Sequence, residues 1–309
     1  MSNATSSLQD RIASGKPLLV AELSPPHGAD AAAVRQAAKR HAGKVHALGI
    51  SDNRERVAMS ALAAASIVAG EGIEPILHVT TRDRNRIALV SEALGAQALG
   101  IRNLLCTSGT HQTLGQFRAA KNVYDLDSVQ LLQTYSRLAA DGSAVGEGSL
   151  AGAGPFCLGG VASPDADPLE LQIPRLAKKA QAGAAFLITQ PIYDMGRLDV
   201  WWAEVTRRGI HEKVAILAGV QPLCGVSFQL ASEARSSGKR QPFRIPDDIF
   251  NRIASKSGAA AQRAAAVELA LETIQKLSGF KGLRGFEISG DGEPDVALEI
   301  IEKSGLGSK

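Results

Sequence analysis

The chain has 309 residues, 45% of them hydrophobic and 21% charged, which is enough apolar material for one large core or two ordinary ones. A net charge of +3 and an aromatic content of 4% argue against nucleic acid as the partner, whether duplex or single strand. Cys106, Cys157 and Cys224 share no close spacing, which argues against a disulfide framework and against a zinc site built from Cys pairs, and suits a reducing compartment.

Residues 1–12 are polar and carry no apolar targeting core. They are read as an N-terminal extension with no assigned structure, ahead of one domain over 13–309. No apolar run is as long as a membrane span, so no membrane partner is expected and a cytoplasmic location is.

The first apolar run, 17–23 (PLLVAEL), reads as a strand and is followed by an amphipathic stretch over 30–42. The pattern then repeats: 45–51 (VHALGIS) before 56–71, 75–80 (PILHVT) before 84–98, and 102–107 (RNLLCT) before 125–140. A polar, Gly-bearing insertion fills 108–124, and a Gly/Ser/Ala-rich loop fills 141–154. Next come 155–161 (PFCLGGV) with 169–182, 185–190 (AFLITQ) with 197–209, and 213–220 (KVAILAGV) with 225–236 and the pair 247–257 and 262–277. The last strand is 283–289 (LRGFEIS). Each strand is short and almost continuously apolar, as parallel strands buried on both faces are. The stretches between them place Ala and Leu at spacings of three and four, and Gly72, Gly100, Gly183, Gly209 and Gly279 stand where helices would stop. Eight such repeats predict a single (β/α)8 TIM barrel. The competing open, doubly wound sheet lacks a Gly-x-Gly-x-x-Gly after its first strand.

Barrels of this kind build their sites from the loops at the C-terminal ends of the strands. There the sequence gathers Glu22 with Ser24-Pro25-Pro26-His27, Ser51-Asp52-Asn53, His78 with Thr80-Thr81-Arg82-Asp83, Ser108-Gly109-Thr110-His111, Gly159-Gly160, Thr189-Gln190, Gln221-Pro222 and Ser289-Gly290-Asp291. Glu22 is the sharpest feature, because a carboxylate between Ala21 and Leu23 is costly unless paired or neutral. Either desolvation raises its pKa and fits it for acid catalysis, or an Arg or Lys from a neighbouring strand satisfies it. His78, inside its strand, reads by itself as a packed core histidine. His27, His78 and His111 have no chelating spacing, so no metal is expected. Lys178 and Lys179 end a helix, where they serve either the helix dipole or a phosphate counter-charge. Gly109, Gly159 and Gly160 would let a flat or phosphate-bearing ligand approach the backbone.

Four segments, in order, resemble the methylenetetrahydrofolate reductases in their short bacterial form. They are Ala21-Glu22-Leu23-Ser24-Pro25-Pro26, the run from His78 to Arg86, Leu105 to Gln112 with Ala120 to Asp125, and Ala177-Lys178-Lys179 through Ile188-Thr189-Gln190. The resemblance implies a flavin-dependent barrel that reduces 5,10-methylenetetrahydrofolate to 5-methyltetrahydrofolate, or runs the reverse, with FAD recharged by NADH or NADPH. It implies Glu22 as the general acid toward folate N10 and Gln190, with Thr110, as the pterin contact. It places Ser51, Asn53, His78, Ser108, Gly109, Thr110, Tyr124, Asp125, Gly159, Ala166, Lys178 and Lys179 against the flavin, with Lys179 at its pyrophosphate. A homo-oligomer is expected. The chain departs from the family at Thr110, where an Asp is usual, and near Ser289 and Glu293, where a Tyr and an Arg are usual. These departures leave open a flavin- or folate-binding subunit that takes electrons from a partner protein or has lost reductase chemistry. A pterin-handling methyltransferase barrel without flavin is the remaining class.

Overall fold

The computed structural model describes residues 6–54, 56–116, 118–144, 148–238, 243–290 and 292–307. Eight parallel strands close into one barrel in the order β1 to β8, which excludes the open sheet. They are β1 (Leu18–Leu23), β2 (Ala47–Ile50), β3 (Pro75–Thr80), β4 (Asn103–Thr107), β5 (Cys157–Ala162), β6 (Phe186–Pro191), β7 (Ala215–Val220) and β8 (Gly285–Ser289). All eight fall within two residues of the sequence reading at either end.

Their near-continuous apolar character has a simple origin. Alternate residues face opposite sides, and both sides are dry. Leu18, Val20, Ala47, Ile76, Leu105, Cys157, Phe186, Ile188, Ala215 and Leu217 pack together in the lumen. Leu19, Ala21, Leu23, Leu48, Leu77, Val79, Leu104 and Leu187 pack outward under the helices.

That outer layer begins with α1 (Ser7–Ala13), α2 (Ala31–His41), α3 (Ala61–Gly70) and α4 (Arg86–Ala98). It continues with α5 (Ser128–Asp141), α6 (Leu169–Gln181), α7 (Met195–Arg207), α8 (Ile210–Lys213), α9 (Gly225–Ser237), α10 (Asp247–Ala254), α11 (Ala259–Leu277) and α12 (Pro294–Ser304). Asp30, Asn85, Asp127 and Asp194 cap the N-termini of α2, α4, α5 and α7 with their side chains, and Asp127 with Gln130 forms a full capping box. Gly72 and Gly100 do end their helices in the left-handed region, both at φ 78°.

Three features depart from the sequence reading. The helix expected over 56–71 starts only at Ala61, because the residues before it belong to the loop after β2. Asn53 adopts φ 44° there, and its Oδ1 accepts a hydrogen bond from Ala58 N at 3.0 Å. The helix α12, with Pro294 in its first turn and Val296, Ile300 and Ile301 buried, follows β8 and was not expected. Finally, residues 7–12 are not an unstructured extension. They form most of α1, and Leu8 is buried with the lumen residues Leu18, Val20, Ala47 and Ile76. Ser6 Oγ donates to Asn103 Oδ1 at 2.7 Å, and Leu8 N to Glu74 Oε2 at 3.1 Å, so polar bonds hold the plug in place.

No helix among the described residues is long and apolar enough to cross a membrane. Leu8→Ala should cost about 2–5 kcal/mol of unfolding free energy, the range for emptying a buried Leu site. Urea denaturation measures it, and a change under about 1 kcal/mol would mean that the lumen is closed without α1.

Candidate active site

The end of the barrel that carries the C-terminal ends of the strands opens into a cavity of about 780 Å³, inside the usual range for small-molecule sites. Its chemistry starts at β1. Leu18, Val20 and Glu22 share the lumen face, so Glu22 is the last inward residue of the strand and the first to meet the cavity. Its strand neighbours are Gly49 on β2 and Ser289 on β8. Because Gly49 has no side chain, the His78 ring from β3 lies over it, and a Cβ at residue 49 would come within 2.9 Å of His78 Nε2. Burial lowers the pKa of His78 against the pull of the Glu22 and Asp52 carboxylates, so the ring is neutral. Its Nε2 has no hydrogen-bond partner among the described residues.

Arg54, in the loop after β2, spans the mouth. Its Nη1 donates to Glu22 Oε1 at 2.9 Å and its Nη2 to Gln221 Oε1 at 3.1 Å. A second carboxyl, Glu287 on β8, is 6% exposed and lines the same cavity as Glu22. Burial first, and then the Glu22 carboxylate, push Glu287 well above the usual carboxylate range.

A separate network fixes the loops. The Asp52 side chain is fully buried and accepts from Thr80 N at 3.0 Å and from Arg84 Nη1 and Nη2 at 2.5 and 3.2 Å. Arg82 Nη1 donates to Thr110 O and Nη2 to Asn53 O, both at 2.8 Å, while Asp83 holds the rest of the guanidinium. One cation thus ties the loops after β2 and β4 together. Gly109 is required between them: its φ is 77°, and a Cβ would lie 2.4 Å from Thr80 Cγ2.

Across the cavity stand Leu105, Val161, Leu176 and Ile188 as apolar wall and Arg118, Arg175 and Lys179 as cations. Lys179 Nζ donates to Val161 O at 2.5 Å, and burial pulls its pKa down to about 8.

Of the residues that the resemblance places at the flavin or the folate, Glu22, Ser51, His78, Ser108, Gly109, Thr110, Lys179 and Gln190 line this cavity. The others do not. Asn53 turns its side chain to Asp52 and Ala58. Tyr124 is more than a third exposed, with its ring 6.4 Å from that of His111. Asp125 accepts three hydrogen bonds from Arg86, which hold its carboxyl down at about 2. Gly159 makes room for a packed ring, since a Cβ there would lie 2.2 Å from Phe186 Cζ. Ala166 sits in the loop after β5, its N–H donating to Ser163 O. Lys178 is exposed on α6. Asp291 lies outside the described residues.

Sequence reasoning missed Arg54 and Glu287. Glu287 carries the same signal as Glu22, a carboxylate inside an apolar strand. Arg54, in the polar run Asp52-Asn53-Arg54, carries none. No group of three or more His, Cys, Asp or Glu among the described residues could hold a metal ion. The three cysteines are free and buried, with the thiols of Cys106 and Cys157 pushed up by burial.

The profile of the methylenetetrahydrofolate reductase family matches residues 7–305. Methylenetetrahydrofolate reductase 1 of Schizosaccharomyces pombe is 24% identical over 247 residues, which is 76% of this chain and 36% of the yeast protein. The chain therefore spans about a third of that relative's length. Among solved structures, an uncharacterised Clostridium thermocellum protein that binds two copies of 5-methyl-5,6,7,8-tetrahydrofolic acid superposes with a TM-score of 0.65. It does so at 12% identity, over 96% of this chain and 98% of that one. Riboflavin lyase, solved with modified FMN and riboflavin, superposes with a TM-score of 0.55 at 9% identity, over 94% and 91% of the two chains. At such identities these two likenesses concern the fold.

The buried Lys179 gives the site a pH signature. Its folded-state pKa of about 8 lies below its ordinary 10.5, so the folded protein binds fewer protons than the unfolded one between those values. Stability therefore rises with pH across that window, by up to about 3 kcal/mol. Lys179→Met should abolish that rise in urea titrations, and a rise that persists in the variant would assign it to another group.

Proposed function

The chain belongs to the methylenetetrahydrofolate reductase family, and from that premise we propose that it interconverts 5,10-methylenetetrahydrofolate and 5-methyltetrahydrofolate by hydride transfer at the β1–β8 mouth of the barrel. The observation that carries the reading is Glu22. It is an inward carboxyl, its side chain 11% exposed, poised between a dry lumen and an open cavity. The reaction needs a proton at folate N10 as the five-membered ring opens, and a carboxyl in that setting is suited to deliver one.

The cavity suits a flavin. Leu105, Val161 and Ile188 would flank its ring, and the unpartnered Nε2 of His78 with the main chain of Ser108, Gly109 and Thr110 would meet its polar edge. Lys179, with Arg118 and Arg175, would meet the phosphates of FAD. Riboflavin lyase, built on the same barrel, takes an FMN derivative, which agrees with this reading. When bound, FAD supplies the hydride and is recharged by NADH or NADPH.

The chain's own residues do the rest. Gln190, on the cavity wall, orients the pterin through its amide. Glu22 holds and moves the proton. Arg54, paired with Glu22 and Gln221, fixes the rotamer of the acid and closes the mouth toward β7. The apolar wall excludes water, which strengthens each polar contact inside. The Clostridium thermocellum protein of like fold binds the product-side folate, in keeping with this assignment.

Glu22→Gln should leave NADH or NADPH able to bleach the bound flavin while folate turnover falls by about a hundredfold or more, the usual weight of a general acid. Stopped-flow absorbance separates the two half-reactions, and normal folate turnover in the variant would remove Glu22 from the chemistry. Thr110→Asp should lower the midpoint potential of the bound flavin, because a carboxylate beside the ring disfavours the anionic reduced form. An unchanged or raised potential would show that residue 110 does not face the ring.

A further inference from the structure

Glu287 is a buried titratable group for which the mechanism above has no use. Its backbone pairs with Val20 on β1, one inward step below Glu22, and Glu22 pairs with Ser289. The two carboxyls are therefore diagonal neighbours on adjacent strands, both inside the barrel. Beneath them lies the apolar lumen of Leu18, Val20, Ala215 and Leu217, which offers Glu287 nothing to bond. Both carboxyls face the same cavity. Two ionised carboxylates on adjacent inward positions of a buried site repel each other, which favours one of the pair carrying a hydrogen.

Counting charge shows how many protons the cluster holds. The groups facing the pair are Arg54 from the loop after β2, the neutral His78 on β3, Asp52 after β2, and the uncharged Gln221 and Ser289. Asp52 is already neutralised by Arg84. Arg54 therefore balances one negative charge on the pair, and one shared proton leaves Glu22, Glu287 and Arg54 neutral as a group. Any other count buries a net charge, which is costly in a dry site.

We propose that Glu22 and Glu287 hold one proton between them, and that Glu287 is the positioning residue that returns Glu22 to its acid form for each turnover. This rests on the reading of Glu22 as the acid. The balance is simple. The shared proton moves from Glu287 to Glu22, and Glu22 gives it to folate N10 as the bond from N10 to the bridging methylene breaks, its electron pair staying on nitrogen. The methylene carbon takes up a hydride, which a bound reduced flavin would supply. A proton taken up through the open cavity then restores the one shared by the pair once product leaves. Arg54 pairs with Glu22, so Glu287 is the neighbouring carboxyl left to hold the proton between turnovers.

The test pairs kinetics with infrared titration. Glu287→Gln keeps a hydrogen-bond donor toward Glu22 but has no proton to give. Its kcat at about pH 8 should fall by about tenfold or more, its alkaline limb should move down by about one pH unit, and KM for the folate should stay within about threefold. Glu287→Asp should recover part of the rate, which a merely structural defect would not allow. The protonated-carboxyl stretch should be present in the wild type at about pH 8, absent in Glu287→Gln, and titrating at lower pH in Glu22→Gln. Matching pH profiles for wild type and Glu287→Gln, or no protonated carboxyl traceable to Glu287, would overturn the proposal. A wild type with no folate turnover under any reductant would instead defeat the functional reading, and the infrared titration would then decide the shared proton alone.

Discussion

A carboxyl held inside a parallel barrel is the constraint around which the upper half of this molecule is arranged. Placing Glu22 on the lumen face of β1 takes it out of water, and the fold answers with three neighbours: Arg54 on one oxygen, Glu287 against its side chain, and the neutral ring of His78 lying over Gly49. Remove the guanidinium, and two acids are left in a dry site with no counter-charge. Remove Gly49, and the imidazole has nowhere to lie. The closed barrel makes the arrangement stiff, because every strand that carries a member of the cluster is bonded on both sides.

The two ends of the barrel divide their labour. At the lower end the polar groups tie structure to structure: Ser6 and Glu74 meet Asn103, and Leu8 closes the lumen. At the upper end polar groups are spent on loops and on the cavity. Arg82 and Arg84 immobilise the main chain around Asn53, Thr80 and Thr110, so the cavity wall from β2 to β4 is set before any ligand arrives. Lys179 is held at a cost in stability near neutral pH.

Most of the architecture could be read from the chain because parallel barrel strands are apolar on both faces and the helices between them end at glycines or begin at Asp and Asn caps. What escaped is equally physical. The helix α12 has a clear first-turn Pro and an apolar stripe, and it lay past the last strand sought. Glu287 repeats the signal of Glu22 in Phe286-Glu287-Ile288 and went unused, although a pair of carboxyls on neighbouring strands is more telling than one. Lys178 and Lys179 are separated by one residue of helix, about 100° of rotation. Counting from the buried Ile173 and Leu176 in steps of three reaches Lys179 and leaves Lys178 in solvent. Asp125 and Tyr124 matched a sequence motif, but three hydrogen bonds from Arg86 turn the first aside and the second is more than a third exposed. Arg54 sits in a polar loop whose path depends on the left-handed Asn53, and nothing local foretells that it reaches across to β1 and β7.

The role of Glu22 turns on where a bound folate sits relative to it. A crystal structure of the protein with 5-methyltetrahydrofolate measures this directly. The expected result is N10 within roughly 2.6–3.2 Å of a Glu22 carboxyl oxygen, directly or through one water, with the pterin beside Gln190. A folate seated away from β1, with Glu22 still closed against Arg54 and Glu287, would contradict it.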